Sequence, residues 1–129
     1  MNSNPVKQIE WNLKFCDDDL IIRADIQQME LVLVNILKNA MEAIESVGKI
    51  EVITEKIPAK KLLIRDNGVG ISESVKYKLF TPFFSTKHTG QGIGLTLVRD
   101  ILTNHGFGFA LFTNSSNETT FVINFDNRL

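Results

Sequence analysis

The longest run of helical periodicity in the chain lies between Gln27 and Val47. Apolar side chains recur there at steps of three and four residues, the spacing that places them on one face of a helix. They are Met29, Leu33, Ile36, Leu37, Ala40, Ile44 and Val47. The pattern predicts one long helix that ends near Gly48, a residue type that suits a helix C-terminus. Asp25 is placed to cap its start, because a carboxylate there accepts from free backbone N–H groups.

A polar stripe interrupts this helix at Asn35, Asn39 and Glu42, which lie at i, i+4 and i+7 and therefore share one face. Asparagine is a mediocre helix former, yet two of them stand in a mostly apolar stretch. If the stripe is buried, each amide needs a partner, because an unpaired buried amide costs roughly 1–3 kcal/mol. A ligand or a metal ion would be such a partner. The alternative is a solvated face that happens to carry two asparagines.

Shorter alternations of apolar and polar residues predict strands. The first is Ile9, Trp11, Leu13 and Phe15, which predicts a half-buried strand. Further strands are predicted over 20–24, 49–56, 61–65, 107–113 and 119–125, with a turn at 114–117. A second helix is predicted over 95–104 and a short one over 72–79. This order predicts a two-layer α/β sandwich with a mixed, largely antiparallel sheet and about three helices.

Composition narrows the classes of partner. The 129 residues are 43% hydrophobic, which suits one domain with an ordinary core. A net charge of −1 provides no general basic field, so no nucleic-acid partner is expected. No apolar run approaches the ~18–20 residues that span a bilayer, so no membrane contact is expected. The single cysteine, Cys16, forms no internal disulfide and fits a reducing cytoplasm.

Two glycine-rich segments are candidate ligand sites. Asp66-Asn-Gly-Val-Gly70 follows a predicted strand, and its carboxylate can accept from an amine such as the 6-amino group of adenine. Taken alone, this segment more commonly forms an ordinary turn. Gly90-Gln-Gly-Ile-Gly94 opens the second predicted helix, where free N–H groups and the helix dipole favour phosphate. It matches neither the Walker A pattern nor the dinucleotide fingerprint.

Basic residues lie beside the second segment. Lys87 and His88 precede it directly and are placed to reach phosphate oxygens, although His88 also fits a solvated loop. His105 stands at a helix C-terminus, where the dipole gives it a structural reason to be. Two histidines and one cysteine, widely spaced, form no zinc pattern.

These segments, in this order, resemble the ATP-binding catalytic domain of bacterial sensor histidine kinases. The wider superfamily includes gyrase, the heat-shock chaperone ATPase, mismatch-repair ATPases and anti-sigma-factor kinases. Its boxes correspond here to Asn35-Ile-Leu-Lys-Asn39-Ala, Asp66-Asn-Gly-Val-Gly70, Phe80-Thr-Pro-Phe-Phe84 and Gly90-Gln-Gly-Ile-Gly94-Leu. The resemblance covers nearly the whole chain. Residues 39–43 and 85–87 are similar to the nitrogen-regulation type of kinase.

The resemblance implies a role for each box. Asn39 would bind the magnesium ion that bridges the ATP phosphates, with Asn35 beside it, and Asp66 would read the adenine amine. Lys87 and the phenylalanine box would belong to a mobile lid over about 67–91. The remaining nucleotide-binding residues would be Gly68 and Gly70 at the adenine and Gly90, Gly92, Gly94 and Leu95 at the phosphates.

Asn35 separates reaction types within the superfamily. The ATPases and serine kinases carry glutamate at this position as general base, and an asparagine cannot take a proton at neutral pH. A histidine ring is itself nucleophilic and needs less help than water. Asn35 therefore favours transfer to histidine over hydrolysis, with Glu42, about two helical turns further on, as an alternative base.

Two features depart from the family. Glu118 stands where a glycine usually precedes the last strand, and neither His88 nor His105 has the acidic neighbour of a phosphoacceptor. The resemblance thus implies a single cytoplasmic, monomeric domain over residues 1–129 that phosphorylates a histidine on a separate dimerisation domain. A response regulator would be reached through the full-length protein, whose membrane attachment stays open. The alternatives are a degenerate binding module without catalysis and an ATPase.

Overall fold

The structure, a computed structural model, describes residues 6–70 and 94–126. In chain order its elements are β1 (Gln8–Lys14), α1 (Ile26–Ala43), β2 (Val47–Glu55), β3 (Lys61–Asp66), α2 (Gly94–Asn104), β4 (Gly108–Thr113) and β5 (Thr119–Asn124). The strands form one sheet in the order β1-β2-β3-β5-β4, in which only the β1–β2 pair is parallel. The predicted two-layer α/β sandwich is confirmed, and the short helix predicted over 72–79 lies outside the described residues.

The core lies between the two described helices and the sheet. The second helix buries Leu95, Val98, Ile101 and Leu102. Most of the apolar face predicted for the first helix is buried as well, and Val32, which the pattern did not include, joins it. Leu33 and Leu37 pack partly buried against this core. The buried apolar residues are Met29, Val32, Ile36, Ala40, Ile44, Ile50, Ile64, Leu95, Val98, Ile101, Leu102, Leu111, Phe121 and Ile123.

The first helix is shorter than its periodicity predicts. It ends at Ala43, because Ile44 is extended (φ −91°, ψ 123°) and donates its N–H to the Met41 carbonyl at 3.2 Å. Val47 belongs to β2 and is exposed. Gly48 is not the helix terminus; a β-carbon there would lie 2.8 Å from the Ile44 side chain, so the site requires glycine for close packing.

The strand predicted over 20–24 is wrong, because this segment is irregular. The Ile21 carbonyl accepts from Lys60 Nζ at 3.0 Å, a side-chain partner that gives no ladder. The predicted cap that follows is confirmed, since Asp25 Oδ1 accepts from the Gln28 N–H at 2.9 Å. The chain therefore enters α1 from a loop and not from a strand.

The first strand is less buried than its alternation predicts, since only Ile9 of its predicted apolar residues packs partly buried against the core. Trp11, Leu13 and Phe15 remain 47%, 58% and 61% exposed. β1 is an edge strand, and the described helices pack over β3 and β4 at the middle and far side of the sheet. Alternation predicted the strand correctly, but it carries no information on how far a helical layer extends.

The two helices are fastened together at one end. His105 Nε2, just after α2, accepts the backbone N–H of Asp25, just before α1, at 3.1 Å. The other ring nitrogen lies 2.9 Å from the Ile101 carbonyl, to which it donates. His105 therefore has the structural role that its position predicts. Because the end of α2 meets the start of α1, the two packed helices run antiparallel.

As a result, several elements meet at one end of the strands. The end of β3, the start of β2 and the β4–β5 turn lie together there, because Asp66 is paired with Ile50 on one side and Thr119 on the other. The end of α1 reaches it too, since the Val69 N–H donates to the Ala43 carbonyl at 3.0 Å. α2 is about 16 Å long at 1.5 Å per residue, so its start lies beside the second half of α1.

Replacement of the cap tests how α1 begins. Asp25→Ala removes the side-chain acceptor of the Gln28 N–H and is expected to lower the free energy of unfolding by about 1 kcal/mol. Asp25→Asn keeps an acceptor and is expected to stay close to the unmutated protein. Urea unfolding followed by circular dichroism measures both, and equal losses in the two variants would contradict the cap.

Candidate functional site

The polar stripe of α1 is neither fully buried nor fully solvated, since Asn35, Asn39 and Glu42 are all half-buried. Asn35 Nδ2 donates to the Leu31 carbonyl at 2.8 Å, and Asn39 Nδ2 donates to the Asn35 carbonyl at 2.9 Å. Both amides are thereby oriented, and no described residue donates to either Oδ1. The helix thus presents two fixed amide oxygens, a ligand type that Mg²⁺ accepts.

Asp66 is a buried carboxylate at the end of β3. It is 6% exposed, and its one hydrogen-bond donor among the described residues is the Gly68 N–H, 2.9 Å from Oδ1. No described lysine or arginine lies within ion-pair distance. Burial raises the pKa of Asp66 to about 6, against the opposing effect of the Gly68 N–H. The second carboxylate oxygen is available to a ligand donor.

Glu51 has the same exposed fraction as Asp66, but its carboxylate has cations beside it. It lies on β2 at 6% exposure, with Lys14 Nζ at 2.8 Å and Arg65 Nη1 at 3.6 Å. The hydrogen bond from Lys14 lowers the pKa of Glu51 despite its burial. Among the described residues, Glu51 therefore has two cations beside it and Asp66 has none. A buried carboxylate at the end of a strand with no described cation is a candidate functional group.

The glycine loop after Asp66 is held tightly against its neighbours. A β-carbon on Gly68 would collide with the Ala43 backbone, so only glycine lets the loop approach the end of α1. Asn67 Oδ1 accepts from the Lys49 N–H at 2.7 Å, which attaches the loop to β2. Gly70 has a φ of +81°, a conformation that favours glycine. The loop is thus held in one conformation by contacts with α1 and β2 and is more than an ordinary turn.

The β4–β5 turn and the start of β5 each place one residue near Asp66 that the sequence did not single out. Thr119, the first residue of β5, is buried opposite Asp66 in the sheet register, with its Oγ1 2.8 Å from Thr113 Oγ1. Asn117 Nδ2 donates to the Gly68 carbonyl at 3.2 Å. Asn117, and not Glu118, adopts a positive φ of 62°, so the left-handed position of this turn is filled by asparagine. The turn propensity of asparagine was the available signal.

The start of α2 provides the second half of the site. Gly94 opens the helix and the buried Leu95 side chain anchors its first turn in the core. The first N–H groups of a helix have no acceptor within the helix, and the dipole adds partial positive charge there. Because α1 and α2 run antiparallel, these groups lie toward the Asn39 end of α1.

Other predicted site residues cannot be placed in this arrangement. Lys87, Gly90, Gly92 and the phenylalanine box 80–84 lie outside the described residues, as does the part of the predicted lid beyond Gly70. The structure therefore places Asp66, Gly68 and Gly70 beside the end of α1, the helix that carries Asn35 and Asn39. Within 6–70 and 94–126, no helix is long and apolar enough to cross a membrane.

A sequence profile of the histidine kinase-, DNA gyrase B- and HSP90-like ATPases matches residues 24–129. The signal transduction histidine-protein kinase AtoS of Escherichia coli is 43% identical over 86 residues, which are 65% of this chain. The chain spans only 14% of the length of AtoS.

Solved structures show the same fold. The nucleotide-free catalytic domain of histidine kinase ThkA superposes with a TM-score of 0.81 at 31% identity, covering 91% of this chain and 78% of that one. ThkA in complex with the response regulator TrrA superposes with a TM-score of 0.76 at 28% identity, covering 91% of this chain and 34% of that one.

The raised pKa of Asp66 makes stability depend on pH in a testable way. The folded protein holds this proton more tightly than the unfolded chain, whose carboxyl has the ordinary pKa of 3.8. Rising pH between about 4 and 6 therefore costs stability, up to roughly 3 kcal/mol for a shift of this size. Asp66→Asn keeps an acceptor for the Gly68 N–H and carries no charge. In urea unfolding without nucleotide, the free energy of unfolding of Asp66→Asn is expected to exceed that of the unmutated protein by an amount that grows from pH 4 to pH 8.

Glu51→Gln is the matched control, and its expected sign is opposite. The charge of Glu51 stabilises the fold above the ordinary pKa of 4.5, and this contribution is lost as pH falls through the lowered folded pKa. The variant is expected to be less stable than the unmutated protein at pH 8, with a smaller difference at pH 4. The same trend in both variants would contradict the distinction between the two carboxylates.

Proposed function

The chain belongs to the histidine kinase-, DNA gyrase B- and HSP90-like ATPase family, and we propose that it binds Mg-ATP and donates the γ-phosphoryl group to a histidine on a separate dimerisation domain. The observation that carries this proposal is the buried carboxylate of Asp66, which has no cation beside it among residues 6–70 and 94–126 and lies near the end of α1. The candidate site has a carboxylate that can bind the adenine ring, oriented amide oxygens that can bind a metal ion, and a helix start that can bind phosphates.

Adenine recognition is assigned to Asp66. Its Oδ1 is held by the Gly68 N–H, so the other oxygen is oriented to accept from the 6-amino group. In a buried position this hydrogen bond is strong, because the carboxylate has lost its water. Gly68 and Gly70 would form the wall of the adenine pocket, because their lack of side chains lets the loop pack against the Ala43 backbone and the Asn117 amide.

The family implies magnesium, and the α1 stripe fits it. Asn39 would be its ligand, with Asn35 beside it, because their Oδ1 atoms are oriented and receive no hydrogen bond from a described residue. When bound, magnesium neutralises charge on the phosphates. The start of α2, at Gly94 and Leu95, would donate backbone N–H groups to phosphate oxygens. By motif alone, Gly90, Gly92 and Lys87 are assigned to the same task.

In the reaction, a ring nitrogen of the acceptor histidine would form a bond to the γ-phosphorus while the bond to the β,γ-bridging oxygen breaks and ADP leaves. Catalysis would consist of positioning and charge stabilisation. Asn35 cannot remove a proton from water, which favours a nucleophile that is reactive without a base. Glu42 is half-buried on the same helix face and is the candidate to receive the proton that the imidazole loses.

The partners follow from this reaction. A dimerisation domain would supply the histidine, and a response regulator would receive the phosphoryl group through the full-length protein, as the ThkA–TrrA complex suggests by similarity. The domain would act in the cytoplasm, where ATP is available, and would be monomeric in isolation. Its nitrogen-regulation-like character stays a prediction.

Titration calorimetry of Mg-ATP tests the proposal directly. The unmutated chain is expected to bind Mg-ATP, to release negligible phosphate, and to lose binding at least about tenfold in Asp66→Ala, because a buried charged hydrogen bond is worth about 1.5–3 kcal/mol. Steady phosphate release would instead indicate an ATPase with Glu42 as base. Absence of binding would leave a partner-binding module.

The metal assignment has its own test. Asn39→Ala is expected to weaken Mg-ATP binding by about tenfold while changing the binding of ATP in EDTA by less than about twofold, because only the metal-dependent contact is removed. Gln27→Ala, an exposed position at the start of the same helix, serves as control and is expected to change neither. Equal losses with and without magnesium would reject Asn39 as the ligand.

A further inference from the structure

We propose that Asn117 is a positioning residue for adenine recognition, acting through Gly68 on the Asp66 carboxylate. This assignment rests on the proposed function, in which Asp66 accepts from the 6-amino group. It concerns a residue of the β4–β5 turn, outside the boxes that carry the resemblance to the kinases.

The turn that carries Asn117 is braced by another asparagine. Asn114 Oδ1 accepts from the Ser116 N–H at 2.9 Å and from the Glu118 N–H at 3.0 Å. The Asn114 N–H donates to the Glu118 carbonyl at 2.9 Å, and the Asn117 N–H donates to the Asn114 carbonyl at 3.0 Å. These bonds fix the turn internally and leave the Asn117 side chain free for a contact outside it.

That contact is made with the glycine loop. Asn117 Nδ2 donates to the Gly68 carbonyl at 3.2 Å. A β-carbon on Gly70 would lie 2.5 Å from Asn117 Oδ1, so the amide lies directly over this glycine. The contact spans 49 residues of sequence and joins the β4–β5 turn to the end of β3.

The Gly68–Val69 peptide is thereby held at both of its ends. Its carbonyl accepts from Asn117, and its N–H, which belongs to Val69, donates to the Ala43 carbonyl at 3.0 Å. The neighbouring Gly68 N–H is the donor that orients Asp66 Oδ1 at 2.9 Å. Without the amide of Asn117, the carbonyl of this peptide loses its hydrogen bond, and only the contacts of Val69 with α1 and of Asn67 with β2 still hold the loop. The Gly68 N–H then loses its alignment with the carboxylate.

Two nucleotides separate positioning from general stability. ATP carries the 6-amino group that Asp66 would accept from, and purine riboside 5′-triphosphate carries hydrogen at that position. The unmutated chain is expected to prefer ATP. Asn117→Gly keeps the left-handed backbone but removes the amide. It is expected to reduce the preference about three- to tenfold, because the adenine hydrogen bond is misaligned, while binding of the 6-hydrogen nucleotide changes little.

Asn114→Ala is the matched control in the same turn. It removes the acceptor of two turn N–H groups and is expected to lower the melting temperature without changing the preference for ATP. Asn117→Asp keeps the shape and tolerance for positive φ but replaces the donor by an oxygen facing the Gly68 carbonyl. It is expected to reduce the preference at least as much as Asn117→Gly.

Each other outcome overturns the assignment. An unchanged preference in both Asn117 variants would remove Asn117 from adenine recognition while leaving the proposed function intact. Equal losses of preference in Asn114→Ala and Asn117→Gly would assign the effect to the turn as a whole. Failure of the unmutated chain to bind either nucleotide would overturn the proposed function and this assignment together.

Discussion

The candidate site depends on one buried carboxylate that no described cation neutralises. Asp66 has the same exposed fraction as Glu51, but Glu51 has two cations beside it, whereas the one donor to Asp66 in the described part of the chain is a peptide N–H. Burying a charge costs free energy unless it is paired. The protein thus keeps a destabilising group at the end of β3, and a ligand that donates to it recovers part of that cost. The Asp66 carboxylate would therefore favour a ligand that donates a hydrogen bond over one that does not.

Supporting such a group requires a rigid surrounding, and the topology supplies it. Elements distant in sequence meet at the same end of the strands, so the glycine loop is attached to the end of α1, the start of β2 and the β4–β5 turn. One attachment joins two main-chain groups, and the other two use the side-chain amides of Asn67 and Asn117. The carboxylate is therefore oriented by a main-chain N–H that these two side chains help to hold in place.

Much of this arrangement was predictable from local patterns. The periodicity located α1 and α2, the alternation located β1 and the final hairpin, and the order of motifs indicated the family. The end of α1 was not predictable, because Ile44 continues the apolar period while its backbone has already turned toward β2. Exposure of Trp11 depends on which strands the helices cover, and the role of Asn117 depends on a contact 49 residues away. Neither is encoded in local sequence.

The link between His105 and Asp25 has a mechanical consequence. It joins the helices at the end remote from the glycine loop, so relative movement between them behaves like a lever with its pivot at that end. Over about 16 Å of helix, a rotation of about 5° displaces the free end by about 1.4 Å, which is half the length of a hydrogen bond. A tilt about that end would therefore change the separation of Asn39 from the start of α2 more than it would change the separation at the His105 end.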